Sequence, residues 1–252
     1  MGGRVRDGVL LGVDEARHMS CVKAWGRALY SELRKLMTLP AIRWAATATG
    51  AIAIIIVMSA LQNKEEGQTF SFDEIAPTWT LAVQIGFVAA GVIVAGSEHS
   101  TAQGITTLLV TPVRTRLAAA RLMALTGTGL VAASILVGVS LAACPTISTT
   151  ALWAGGRTVA WLTGVLLLAA GLGEALRSSI GALTAAVVLV ILAPQLAVFL
   201  GDAARWFPGQ AGQIWVTATE PRCDVVAAGT ISLAWTVAAQ AAGVVRLLGT
   251  DA

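Results

Sequence analysis

The sequence predicts an all-α, polytopic membrane protein with six transmembrane helices, an N-terminal amphipathic interfacial helix, and both termini in the cytoplasm. Composition, apolar segment length and the placement of the cations each point to this class. Of 252 residues, 56% are hydrophobic and 12% are charged, and the mean hydropathy is +0.76. Soluble domains carry about 25% charged residues. Half that charge leaves too little polar surface to face water, so lipid is the expected solvent.

Six apolar segments give the helix count. A hydrocarbon core about 30 Å thick requires about 20 apolar residues in a helix. The fourth segment is the weakest, because its strictly apolar part covers only 158–173. Pro194 removes one backbone hydrogen bond from the fifth and predicts a kink there. The predicted spans are 41–61, 76–96, 117–143, 158–176, 179–200 and 225–245, which together form a transmembrane domain over 40–248.

The cations set the orientation. Lys and Arg concentrate in cytoplasmic loops. With the N-terminus inside, the inner side holds thirteen of the 17 basic residues, and the outer side holds Lys64, Arg157, Arg205 and Arg222. The basic pI of about 9.1 therefore follows membrane sidedness, and no nucleic-acid partner is expected. The inner set is Arg4, Arg6, Arg17, Lys23, Arg27, Arg34, Lys35, Arg43, Arg114, Arg116, Arg121, Arg177 and Arg246.

The chain before the first span divides into two parts. Residues 1–19 are polar and rich in Gly and Arg, as is typical of a mobile tail. In 20–39, apolar residues including Trp25, Leu29 and Leu33 recur at helical spacing, while Arg34 and Lys35 fall mostly off that stripe. Basic amphipathic helices of this kind lie in the membrane interface. The alternative is an ordinary helix packed on a soluble partner.

The outer connections leave two questions open. Residues 201–224 contain several aromatic side chains, which favours either a segment dipping into the interface or a plain loop with aromatic anchors. Cys144 and Cys223 both fall on the predicted outer side, which leaves a disulfide between them open, although isolated membrane cysteines are usually small hydrophobes.

The sequence lacks the residues that several classes of chemistry require. There is no G-x-x-x-x-G-K-[ST] loop, so the chain is not itself a P-loop ATPase. His18 and His99 have no Cys/His companions, and no metal site is expected. No span carries a central ionisable residue, which argues against a pump driven by its own titrating groups and against an intramembrane enzyme.

The polar residues inside the spans are mild. Thr80, Gln84 and Gln195 are the candidates for a substrate path, since a glutamine facing lipid would leave its amide unsatisfied. The alternative is that each only hydrogen-bonds a neighbouring helix. Gly86, Gly91 and Gly96 in the second span predict close helix contacts.

One segment is more specific than its composition. Residues 96–121 read GSEHSTAQGITTLLVTPVRTRLAAAR. They resemble the first cytoplasmic loop of bacterial type-2 ABC-transporter permeases, whose actinobacterial members read roughly G-E-Y-S-T-G-x-x-x-x-T-L, then P-x-R-x-R. Other short motifs agree in order along about 28–248, and the segment departs from the pattern at His99, Ala102 and Ile105. The matching residues are Glu98, Ser100, Thr101, Thr107, Leu108, Pro112, Arg114, Arg116 and Arg121.

The resemblance implies a function and a set of partners. Such a chain is the permease subunit of an ABC exporter in the bacterial cell membrane and binds no cofactor itself. ATP and Mg belong to a dimer of separate cytoplasmic ATPase subunits, and a second copy or a related permease completes the pore. The substrate is an amphipathic drug, peptide antibiotic, lipid or natural product, which includes a role in antibiotic resistance. The ATPase-coupling loop would use Glu98, Ser100, Thr101, Ile105, Leu108, Leu109, Arg114 and Arg116, together with the interfacial helix.

Two other functions stay open. A membrane immunity or sensor protein that binds a partner without transport would have the same six spans, and an adjacent or co-purifying ATPase separates it from a permease. An intramembrane enzyme is the third reading, and a polar cluster at mid-membrane would favour it.

Overall fold

The computed structural model describes residues 25–63, 70–100, 114–218 and 223–249, and the regular elements in these ranges are helices. We label the helices of at least eight residues α1 to α8. Between α6 and α7 the chain forms a π-helical turn (Val188–Leu192), two short helices and a 3-10 turn (Gly201–Trp206). The labelled helices are α1 (25–38), α2 (Pro40–Gln62), α3 (Phe72–Ser100), α4 (Arg114–Ala143), α5 (Thr149–Leu176), α6 (Ser179–Val187), α7 (Pro208–Thr217) and α8 (Cys223–Leu248).

The protein is a multi-pass membrane protein. In the described ranges, α2, α3, α4, α5 and α8 are each long and apolar enough to cross a bilayer. A sixth span exists if the bent pair Ser179–Gln195 and Ala197–Trp206 is one crossing. The all-helical prediction is confirmed, while the orientation of the termini stays a prediction.

The weak span is not the one that the sequence indicated. The fourth segment was expected to start at 158, but α5 begins at Thr149, where the Ser148 hydroxyl accepts a hydrogen bond from the Ala151 amide at 3.0 Å. Gly155, Gly156 and Arg157 lower the local hydropathy without ending the helix. The Arg157 guanidinium, assigned to an outer loop from the sequence, lies on α5 and donates to the Ala218 carbonyl.

The fifth segment is broken. A continuous kinked span over 179–200 was predicted, whereas the chain bends by 78° at Leu196, just after the proline. Beyond the bend, α7 returns to the bundle, and Ala211 and Val216 on it are buried. The aromatic segment that was predicted to lie outside therefore contains a helix packed on the spans, rather than a plain loop.

Helix α5 is the centre of the bundle. Helices α3, α4 and α8 pack against it, and α2 packs on α3. Two cross-bundle hydrogen bonds, Ser71 to Ser148 and Trp161 to Gln84, each join residues 77 positions apart. A constant offset means that α3 and α5 run parallel, in register, over this length. Two helices running in the same direction must be joined through a third, and α4 is that return helix.

The three spaced glycines of α3 face three different helices. A Cβ on Gly86 would meet the Thr49 hydroxyl of α2, and a Cβ on Gly96 would lie 2.3 Å from the Ser179 hydroxyl at the start of α6. A Cβ on Gly91 would lie 2.5 Å from the Leu166 carbonyl oxygen of α5. The predicted close contacts are thus confirmed, and they place α3 and α5 at near-minimal separation.

Candidate functional site

Most of the predicted ATPase-coupling loop lies outside the described residues. Thr101, Ile105, Leu108 and Leu109 lie outside the described residues. Glu98 and Ser100 end α3, and Arg114 and Arg116 begin α4, but the description of these four covers the backbone alone. The two helices that the loop joins can still be located, since their adjoining turns are described.

Helix α1 packs on the halves of α3 and α4 that adjoin this loop. Leu36 of α1 is buried with Val94 toward the end of α3, Leu125 in the first half of α4, and Ala170 of α5. We call this end of the bundle the Arg121 end, and the opposite end, with the Ser71–Ser148 contact, the Ser148 end. The predicted interfacial helix therefore meets the two helices that flank the predicted coupling loop in the half of the bundle nearest that loop.

The predicted interfacial helix turns its apolar stripe onto the bundle. Leu29 and Leu33 pack with Leu36, Trp25 is half-buried, and Arg34 is exposed. The Lys35 ammonium lies 2.7 Å from the Glu32 carboxylate, which is itself buried. The partner of the stripe is the protein's own span ends, and insertion of the other face into the interface stays a prediction.

A buried ion pair at the Arg121 end was missed by the sequence reasoning. Arg121 Nε of α4 lies 3.1 Å from Glu174 Oε1 of α5, and both side chains are almost fully buried. Helix α8 closes over them, because a Cβ on Gly243 would lie 2.8 Å from Glu174 Oε2. The Gln240 amide of α8 donates to the Leu167 carbonyl at 2.6 Å. Glu174 stands alone in an apolar run, which is the signal that the sequence offered.

The candidate substrate-path residues do not form one site. Gln84 is buried and its carbonyl accepts from Trp161 Nε1 at 3.0 Å, so α3 and α5 share this bond. Thr80, one turn away, is also buried. Gln195 lies exposed at the break after α6. The observed contact of Gln84 is therefore a hydrogen bond between two helices, which is the alternative to a substrate path.

Two apolar grooves flank α4. Helix α4 packs on α5 and touches α2 and α8 only sparsely, so a cleft remains on each side. Groove A, about 260 Å³, lies between α2 and α4 over α3 and is closed at the Arg121 end by Leu36. Groove B, about 500 Å³, lies between α4 and α8 over α5 and has Trp161 and Trp215 among its walls. Both have volumes in or near the range of small-molecule sites, roughly 300–1,000 Å³.

Cys144 is buried at the Ser148 end, just after α4. Burial raises the pKa of its thiol, and the nearby carboxylates of Asp73 and Glu74 raise it further. The thiol therefore stays protonated near neutral pH and is a poor nucleophile. The Cys223 side chain lies outside the described set, so the pairing of the two cysteines stays open. Within the described ranges no cluster of His, Cys, Asp and Glu could hold a metal.

Comparison with known proteins gives no relative. The chain matches no family model, no curated protein and no solved structure.

Proposed function

We propose that this chain is the permease subunit of an ABC exporter, a lipid-embedded half-pore driven by a separate ATP-hydrolysing dimer. The carrying observation is the 96–121 motif, joined to the position of its flanking helix ends. Helix α1 packs on the halves of α3 and α4 that adjoin the motif, which supports a common docking face for the motif and the amphipathic helix. A subunit docked on that face would touch both.

The bundle suits a moving part better than a static anchor. Helix α4 follows directly from the motif, and it packs mainly on one helix, with apolar grooves on both sides. A push on 101–113 would reach α4 first. Helix α4 can shift against α5 with little loss of other contacts, which is how small shifts at one end become rigid-body motions.

The described spans hold no chemistry of their own that would replace the ATPase. Arg121 and Glu174 pair near one end, and the buried groups nearer the middle, such as Gln84 and Thr163, are uncharged. An amphipathic substrate matches the grooves, because their walls are apolar and open sideways to lipid. The bacterial cell membrane and the second permease copy belong to this proposal.

Variants in the motif test the proposal. Glu98→Ala and Leu108→Ala are expected to lower transport-linked ATP hydrolysis by the complex by about tenfold, since loss of an apolar contact of Leu108, or of a charged hydrogen bond of Glu98, would cost about 1–3 kcal/mol. The measurement is ATPase activity of the complex purified from membranes of the native host. Membrane insertion and yield of the chain should be unchanged.

Gln103→Ala is the matched control, because Gln103 lies in the same segment at a position that the motif leaves variable. Normal ATP-linked transport by both motif variants would contradict the coupling role. A complex that holds no ATPase subunit would instead favour the sensor or immunity function.

A further inference from the structure

Groove B has the features of a built lipid site. We propose that it binds one anionic phospholipid of the surrounding bilayer, with an acyl chain between α4 and α8 and the phosphate at Arg157. The proposal goes beyond the exporter function and does not depend on it. The proposal rests on four features of the groove, which are its apolar lining, the cation at its mouth, its length and its sideways opening.

The lining of groove B is apolar even where it includes Thr and Ser residues. Thr163 donates to the Val159 carbonyl at 2.8 Å, Ser232 to Ala228 at 3.0 Å, and Thr236 to Ser232 at 3.0 Å. Each hydroxyl thus bonds its own helix backbone and has no need of a ligand partner. The surface that remains is hydrocarbon and the faces of two tryptophans, which a lipid chain can cover without desolvating a polar group.

The cation lies at the Ser148 end of the groove. The guanidinium carbon of Arg157 lies 5.6 Å from the centre of the Trp215 ring, and that ring forms part of the groove wall. The guanidinium also donates to the Ala218 carbonyl. These contacts leave several of its five N–H donors for an anion. Among the described residues no carboxylate forms an ion pair with Arg157, and a phosphate fits its planar fork.

The groove has the depth of one leaflet. On α5, Leu167 at the groove floor lies about 15 Å from Arg157 at a helical rise of ~1.5 Å per residue. Half of a hydrocarbon core of about 30 Å is the same length. A lipid whose phosphate contacts Arg157 would therefore place its chain along the groove to the bilayer centre. The sparse contact between α4 and α8 leaves the side through which the chain enters.

The test is quenching of tryptophan fluorescence in phosphatidylcholine vesicles that contain the purified full chain and a brominated lipid. Brominated phosphatidylglycerol is expected to quench at about fivefold lower mole fraction than brominated phosphatidylcholine, since one cation near the surface contributes about that preference for anionic lipid. Unbrominated phosphatidylglycerol should relieve the quenching. Equal quenching by the two brominated lipids, or no relief, would overturn the proposal without any variant.

Variants at two positions test the contact with the lipid phosphate and the contact with the acyl chain separately. Arg157→Gln should abolish the anionic preference, while Arg157→Lys should retain most of it. Gly164→Leu should reduce quenching by both lipids, because its side chain would project into the groove with only the Thr236 hydroxyl near its Cβ, at 3.6 Å. Gly138→Leu on α4 is the matched control, since nothing lies within 4 Å of its Cβ and it lies outside the groove. An anionic preference that survives Arg157→Gln would refute the site.

Discussion

Replacing Glu174 by Gln is expected to lower the free energy of unfolding by about 3 kcal/mol, because it removes a carboxylate partner from the buried Arg121 guanidinium. The two side chains retain only 11% and 13% of their exposure, and their closest atoms lie 3.1 Å apart. Water can therefore do little to replace the carboxylate. For a chain of this size the loss corresponds to a fall in Tm of about 6–12 °C, measured by thermal unfolding in detergent.

Two controls for the Arg121–Glu174 pair distinguish the effect of losing a charge from the effect of changing the side-chain packing. Asp202→Asn makes the same chemical change at an exposed position and should leave Tm within about 1 °C, as surface substitutions do. The double variant Arg121→Met with Glu174→Leu should recover most of the stability, because apolar replacement of a buried pair is often neutral. A Glu174→Gln protein as stable as Asp202→Asn would show that the ion pair does not hold α4 on α5.

Gly91→Ala is the second large effect, with an expected loss of about 2 kcal/mol or more from overpacking. The new methyl group would lie 2.5 Å from the Leu166 carbonyl oxygen and 3.0 Å from the Ala170 amide nitrogen. Both are backbone atoms of the central helix, so no side chain can move aside. Helices α3 and α5 must separate, and the buried Gln84–Trp161 hydrogen bond should lengthen with them. Thermal unfolding reports the loss of stability.

Gly127→Ala on α4 is the matched substitution. Nothing lies within 4 Å of its Cβ, so only helix propensity changes, and alanine is favoured there by up to about 1 kcal/mol. The two changes should move Tm in opposite directions. Equal Tm values for both proteins would mean that α3 and α5 are not as close as the geometry requires.

The helical class and five of the spans could be predicted from the sequence, because lipid imposes a length and a composition that few residues can violate. The sequence did not predict correctly where the helices continue and where they break. From hydropathy the fourth span was expected to begin only at 158. The helix instead continues through Gly155, Gly156 and Arg157, because a helix tolerates glycines and the long Arg157 side chain reaches a polar partner at Ala218. The true break comes at Leu196, where the backbone leaves the helical region after a proline.

The site was less predictable than the fold. Thr80, Gln84 and Gln195 were predicted as candidates for a substrate path, and that role stays a prediction; Thr80 and Gln84 are buried, whereas Gln195 is exposed. That Gln84 pairs with Trp161 depends on the parallel register of α3 and α5, which no local pattern encodes. Groove B likewise brings together residues of α4, α5, α7 and α8, and the Arg121–Glu174 pair joins α4 to α5, so their chemistry exists only after the bundle forms.

The most direct measurement is a cross-link from the motif to its partner. A photo-reactive residue at Ile105, activated in membranes of the native host, should attach to a protein that carries an ATP-binding P-loop. The same probe at Leu152, an exposed residue at the Ser148 end, should give no such product. If Ile105 yields no ATP-binding protein, or if Leu152 captures it instead, then no ATPase docks beneath α3 and α4 and the chain is not the permease that we propose.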